Sequence, residues 1–253
     1  MDCDSESELV RLTRMSYSLF GFGAFVFSFL MVTSYAPSYG RHGASRVETL
    51  LFLDKLYVPA RLAWFIQELP AITIPFLLFF CGKCSRGLQF GNTFVMLLYF
   101  AHYIHRCFLF PLLIRGGKPM PIQWNITAFC VCAYNGYLQC YYHCNFAYYP
   151  PGYFTHFLPC LGVVLFFLGM FINVHSDSIL RNLRKPGETG YKIPKGLLFE
   201  YVSGANFFGE IVEWFGFALA AGTLPAYAFS FLTVCNLIPR ARAHHKNPGN
   251  GEV

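Results

Sequence analysis

The chain has 253 residues, of which 55% are hydrophobic, 19% aromatic and only 13% charged. A soluble domain carries about 25% charged residues, so this chain is too poor in charge to cover a water-facing surface, and lipid is the simpler solvent. The formal net charge of +6 does not point to nucleic acid, because Lys and Arg sit in short loops between apolar runs and form no single stripe.

A membrane-crossing helix needs about 20 mainly apolar residues. In chain order the candidates are Met15–Val32, Arg61–Phe80, Asn92–Ile114, Ile122–Cys144, Phe157–Val174, Ala205–Gly222 and Thr223–Pro239. The last two are separated only around Ala221-Gly222-Thr223, so six spans are the alternative to seven. With seven, fourteen of the 19 Lys and Arg residues fall on one side, in 41–61, 115–118, 181–195 and 240–246, and only Arg11, Arg14, Lys83 and Arg86 on the other. The positive-inside rule favours this arrangement, with a cytosolic C-terminus. Residues 1–14 then read as an N-terminal lumenal segment and 15–239 as one membrane domain. Within it, 175–204 form a long cytosolic loop, and 240–253 are a short disordered cytosolic tail. The start of the chain lacks a compact basic stretch, a short apolar core and a small-residue cleavage site in succession. The first apolar run therefore reads as a retained helix, for which an uncleaved signal anchor would look the same.

Several ionisable or strongly polar residues lie where the bilayer should exclude them, at about 2.5–3.5 kcal/mol or more each. They are Gln67 and Glu68 before Pro70; His102, Tyr103, His105 and Arg106; Asn173, His175 and Asp177; and Asn206, Glu210 and Glu213. The spacings i, i+4, i+7 (Asn206, Glu210, Glu213), i, i+3, i+4 (His102, His105, Arg106) and i, i+4 (Asn173, Asp177) each put the group on one helix face. A single such residue is often interhelical glue or helix-end solvation. Four helices doing it together predict an all-α membrane protein whose seven transmembrane helices enclose a polar intramembrane chamber.

The remaining motifs are weak. Gly21-Phe22-Gly23 lacks the third glycine of a dinucleotide fingerprint and sits inside a span. No P-loop, HExxH or GxSxG occurs. The sequon at Asn125 falls at a cytosolic span boundary. Of the ten cysteines, Cys130, Cys132, Cys160 and Cys235 lie in apolar runs as small hydrophobes. Cys81 and Cys84 form one CxxC, without the second pair that a zinc site needs. The basic loop 181–195 suits a phosphate-rich cytosolic ligand as well as ordinary topology. These residues alone fit an enzyme joining a hydrophobic substrate to a phosphate-bearing cofactor, and equally a seven-helix transporter or receptor.

Two long strings narrow the choice. One is Asn173-Val-His175-Ser-Asp177, running on through Arg181, Arg184 and Thr189-Gly190-Tyr191-Lys192-Ile193-Pro194. The other is Glu200-Tyr201, then Asn206-Phe-Phe-Gly-Glu210-Ile-Val-Glu213-Trp214. With Pro59–Pro70, His102–Arg106 and Arg115–Pro121 in the same order, they strongly resemble the steroid 5-alpha-reductases, over roughly residues 35–245 and most closely the type 1 form. The resemblance implies a multi-pass enzyme of the endoplasmic reticulum membrane. It would use NADPH from the cytosol to reduce 3-oxo-delta-4 steroids, such as testosterone and progesterone, that arrive from the membrane lipid. Reduction of another enone or enoyl lipid is the nearest alternative.

By that resemblance Glu68 and Tyr103 hold the C3 ketone, Glu68 donating in its protonated form. Gln67, Asn173, Asp177, Asn206 and Glu210 map onto the cofactor pocket, with Asp177 and Asn206 nearest the nicotinamide. Arg184 and Tyr191 match positions gripping the phosphate and adenosine portion, with Arg106, Arg240 and His244 assisting. Trp214 lines the apolar steroid slot, as does Phe110, which stands where relatives commonly carry Tyr. Relatives continue past the double histidine with an aromatic and basic segment, whereas here Lys246–Val253 replaces it. Impaired closure over the cofactor, and association with a full-length family member, are expectations attached to that difference.

Overall fold

The computed structural model describes residues 3–33, 56–85, 89–183 and 192–246. The described residues are almost wholly helical: α1 (Cys3–Thr33), α2 (Ala60–Glu68), α3 (Pro70–Phe80), α4 (Phe90–Ile104), α5 (Phe110–Leu113), α6 (Ile122–Asn145), α7 (Phe157–Asn182), α8 (Ala205–Ala221) and α9 (Leu224–Lys246). The one described sheet is a two-residue clip. Tyr57–Val58 pairs antiparallel with Met120–Pro121 and ties the approach to α2 to the start of α6.

Four of the described helical stretches are long and apolar enough to cross a membrane: Ser5–Val32, Ala60–Phe80, Phe90–Leu113 and Phe157–Asn182. Two of these are broken by proline. Pro70 has no N–H to offer the Ile66 carbonyl, so the second stretch divides at Leu69, directly after Gln67 and Glu68. Pro111 likewise cannot serve the Cys107 carbonyl, and the preceding turn widens into a π-helix over His105–Leu109. Both interruptions fall beside residues singled out in the sequence.

Three boundaries differ from those read in the sequence. The first helix begins at Cys3, not Met15. The residues assigned to a separate segment, 1–14, contribute from Cys3 onward to α1, where Arg11 donates to the Tyr137 hydroxyl of α6 at 2.8 Å. Helix α7 continues two turns beyond Val174 to Asn182, so His175 and Asp177 lie on a helix and not in a loop starting at 175. The tail assigned to disorder, 240–253, is helical through Lys246. Pro239 interrupts one hydrogen bond of α9 without ending it, and the extension is held by Ser203 Oγ against His245 Nδ1 at 2.9 Å. Apolar patterning ends before these helices do, because backbone hydrogen bonding continues through polar residues.

Helices α7 and α8 approach at backbone contact. A Cβ at Gly162 or Gly169 would collide with the α8 backbone around Gly216–Ala220 or Gly209–Glu213, and one at Gly209 or Gly216 with that of α7 around Asn173 or Phe166. Two glycines seven residues apart on each helix thus form a flush seam. It fixes Asn173 and Asp177 opposite Asn206 and Glu210. At the other edge of the bundle α1 packs along α9, with Phe20 and Phe231 5.3 Å apart at their ring centroids.

Candidate active site

A cavity of about 490 Å³ lies among α1, α2, α4, α6, α8 and α9, within the range of roughly 300–1,000 Å³ usual for small-molecule sites. Gln67, Glu68, Tyr103, Arg106 and Glu210 form one end. Aromatic and aliphatic side chains form most of the rest, among them Phe22, Phe25 and Phe29 of α1, Trp124 of α6, and Trp214 and Phe229. Phe25 is 63% exposed while lining the cavity, so the α1 wall is the side nearest the surroundings. Hydrogen bonds tie α1 to α6 at Glu8, Arg11, Met15 and Ser18, on the N-terminal side of that wall.

Glu68 is held from two sides. Gln67 Nε2 donates to its Oε1 at 3.1 Å and the Cys132 thiol points at its Oε2 at 3.5 Å. The Tyr103 hydroxyl accepts from Asn135 Nδ2 at 3.2 Å. Asn135 is set in turn by Gln139, whose Nε2 donates to Asn135 Oδ1 (3.1 Å) and to the Pro225 carbonyl (2.9 Å). With its oxygen occupied as an acceptor, the Tyr103 O–H can donate into the cavity. Gln67 Oε1 is buried and has no hydrogen-bond partner among the described residues.

Arg106 occupies the centre of the polar end. Its guanidinium meets Asp177 Oδ2 at 3.3 Å and Glu210 Oε2 at 3.7 Å. Trp64 and Phe110 each present a ring 4.6 Å from its Cζ. Asp177 also accepts from Asn206 Nδ2 (3.2 Å), and Asn173 Nδ2 donates to the Asn206 carbonyl (3.0 Å). His102 Nδ1 lies 2.8 Å from Glu213 Oε1 behind Trp214.

The structure thus brings together Gln67, Glu68, Tyr103, Arg106, Asn173, Asp177, Asn206, Glu210 and Trp214. Arg240 also lines the cavity. Phe110 was expected to line the steroid slot, but it lies outside the cavity lining. Its ring stands edge-on to Trp64 (5.1 Å) and backs the Arg106 guanidinium. His105 is buried without lining the cavity. Arg184 and Tyr191 fall outside the described residues, as does the side chain of His244. Asn125 is buried and donates to the Ala63 carbonyl at 2.8 Å, which fits the discounting of its sequon. Sequence reasoning missed Cys132, Asn135 and Gln139; the amides' i, i+4 spacing inside an apolar run was the available signal.

Comparison with known proteins shows the family. Residues 118–248 match the family described as 3-oxo-5-alpha-steroid 4-dehydrogenase. The mouse 3-oxo-5-alpha-steroid 4-dehydrogenase 1 is 46% identical over 241 residues, 94% of this chain and 90% of its own. The chain belongs to the 3-oxo-5-alpha-steroid 4-dehydrogenase family. It is also similar to the human type 1 protein, 46% identical over 82% of this chain and 78% of the relative. To the pig type 2 protein the identity is 50% over 75% and 74%. The likeness to both types means that the family assignment does not rest on one subtype. The chain is accordingly an oxidoreductase of this family, and its apolar helices fit a membrane protein.

Proposed function

We propose that this dehydrogenase-family member reduces the delta-4 double bond of 3-oxo-delta-4 steroids such as testosterone and progesterone, with NADPH as reductant. The observation that carries the reading is that the positioned Tyr103 hydroxyl and Glu68 line the same cavity, whose walls are mostly aromatic and aliphatic. Conjugate reduction adds hydride at C5 and a proton at C4, and negative charge builds on the C3 oxygen in between. Donors aimed at that oxygen strengthen as the charge develops and so favour the transition state over the bound substrate. Tyr103 is one of those donors, and the Glu68 carboxyl, where it carries a proton, is the other. Gln67 and Cys132 hold the carboxyl, and Asn135 holds the phenol.

The cofactor reading is supported by the buried acceptor Gln67 Oε1, which suits an amide N–H donor such as a carboxamide, and by the polar set beyond it. NADPH, when bound, supplies the hydride. Gln67, Asn173, Asp177, Asn206 and Glu210 would hold its nicotinamide half, with Arg106 keeping the carboxylates oriented. Arg184, Tyr191, Arg240 and His244 are assigned to the phosphate-bearing half. Trp214 and the α1 phenylalanines would exclude water around the steroid, which would arrive from lipid beside the exposed Phe25. In this reading the chain crosses the endoplasmic reticulum membrane seven times with its C-terminus in the cytosol.

The test is turnover of testosterone with NADPH by the purified full chain, beside Glu68→Gln and Tyr103→Phe. Loss of one donor to a developing oxyanion costs on the order of 10²–10³ in kcat. Wild-type turnover with such losses in both variants supports the reading. Undiminished turnover by either variant would overturn its role.

A further inference from the structure

At the end of the bundle where α1 begins, three cysteines converge without any part in the cavity. Cys140 and Cys144 lie one turn apart on the same face of the last turns of α6, with their sulfurs 3.8 Å apart. Cys84, from the connection between α3 and α4, joins them, and the three Sγ atoms all lie within 4.8 Å of one another. Cys84 is half-buried and the other two are buried. Its CxxC neighbour Cys81 is exposed and stands outside the cluster. The second pair that the CxxC lacked in the sequence is met for Cys84 alone, by Cys140 and Cys144 of α6.

The backbone carrying Cys84 is fixed from both directions. Helix α3 ends in a Schellman turn: Gly82 takes φ +67°, its N–H donates to the Phe79 carbonyl (3.1 Å), and Lys83 N–H reaches Leu78 (2.9 Å). On the α6 side Asn145, the residue after Cys144, clamps both neighbours of Cys84. Its Oδ1 accepts from Ser85 N and Ser85 Oγ, each at 3.0 Å, and its Nδ2 donates to the Lys83 carbonyl at 2.8 Å. Side chains that merely fill a core need no such orientation of one loop residue.

We propose that Cys84, Cys140 and Cys144 form a binding site for a thiophilic divalent cation of the zinc type, distinct from the steroid and cofactor site. Zinc holds thiolate sulfur at about 2.3 Å in tetrahedral geometry, which separates neighbouring sulfurs by about 3.8 Å, the spacing found between Cys140 and Cys144. The remaining sulfur-to-sulfur distances, 4.8 Å or less, would have to shorten by at most about 1 Å to reach that value. Each thiol gives its proton to water on binding. Water fills the fourth position, since Cys84 is half-buried while the other two are buried. The bound ion clips the α3–α4 connection to the end of α6 and contributes to stability without touching the reaction.

The experiment uses the full chain, purified in detergent without a polyhistidine tag, with metal per chain and free thiols counted together. The expected result is about one zinc per chain. Removing a ligand with Cys84→Ala lowers zinc affinity by at least about tenfold, the least that loss of even a supporting residue costs a metal site. Cys160→Ala, on the exposed face of α7, keeps the zinc. Cobalt substitution of the wild-type chain is expected to give thiolate-to-metal charge-transfer absorption, a readout independent of how well any variant folds. Three results would overturn the proposal: a reduced wild-type chain that takes up neither ion, zinc undiminished in Cys84→Ala, or Cys84 joined to Cys140 or Cys144 as a disulfide in fresh protein.

Discussion

The side-chain amide of Asn135 donates to the Tyr103 hydroxyl at 3.2 Å, and Gln139 fixes that amide by bonding both Asn135 Oδ1 and the Pro225 carbonyl. The chain of contacts runs from the first turn of α9 through α6 to the phenol at the cavity. Its effect is to commit the Tyr103 oxygen as an acceptor and leave its proton for a ligand.

Asn135→Leu removes that commitment while keeping the side chain's size. A net hydrogen bond is worth about 0.5–1.5 kcal/mol, so kcat is expected to fall by up to about tenfold, with KM and NADPH affinity little changed. Steady-state kinetics checks this. A purely structural role for Asn135 would instead lower thermal stability and leave kcat of the folded fraction intact.

Arg106 is the shared partner of Asp177 and Glu210, and its side chain is 10% exposed. Arg106→Gln strands two carboxylates in a poorly solvated site. Breaking a buried pair from one side costs about 3–5 kcal/mol. A large drop in melting temperature is expected by thermal denaturation in detergent. The double variant Arg106→Gln, Asp177→Asn recovers part of that loss, because one stranded charge has gone.

Gly209 sits where α8 touches the backbone of Asn173. Gly209→Ala forces the seam open, at the cost of about 1–3 kcal/mol typical of overpacking. It also separates Asn173 from the Asn206 carbonyl, so weaker NADPH binding is expected together with a lower melting temperature. Gly21→Ala, where a side chain meets nothing within 4 Å, changes neither.

Much of this site was legible in the sequence because charge in an apolar run is conspicuous. Glu68, Arg106, Asp177 and Glu210 stood out singly, and helical spacing placed them on inward faces. What was hidden depends on contacts between distant segments. Phe110 looked like a cavity wall, but the π turn forced by Pro111 directs its ring onto Arg106. Asn135 and Gln139 carry no charge and blended into α6. The two extra turns of α7 were read as loop because their residues are polar. Yet Asn182 there bonds the Ser178 carbonyl (2.9 Å) and receives Arg115 (3.0 Å), contacts that hold the helix together beyond its apolar stretch.

The most direct test follows the hydride itself. The purified chain is given testosterone and NADPH deuterated at the transferred position of the nicotinamide, and the product is located by mass spectrometry and NMR. The expected product is a saturated 3-ketone with one deuterium at C5 on the alpha face. Deuterium at C3 in an alcohol, or cofactor consumption without a 5-alpha product, would contradict it.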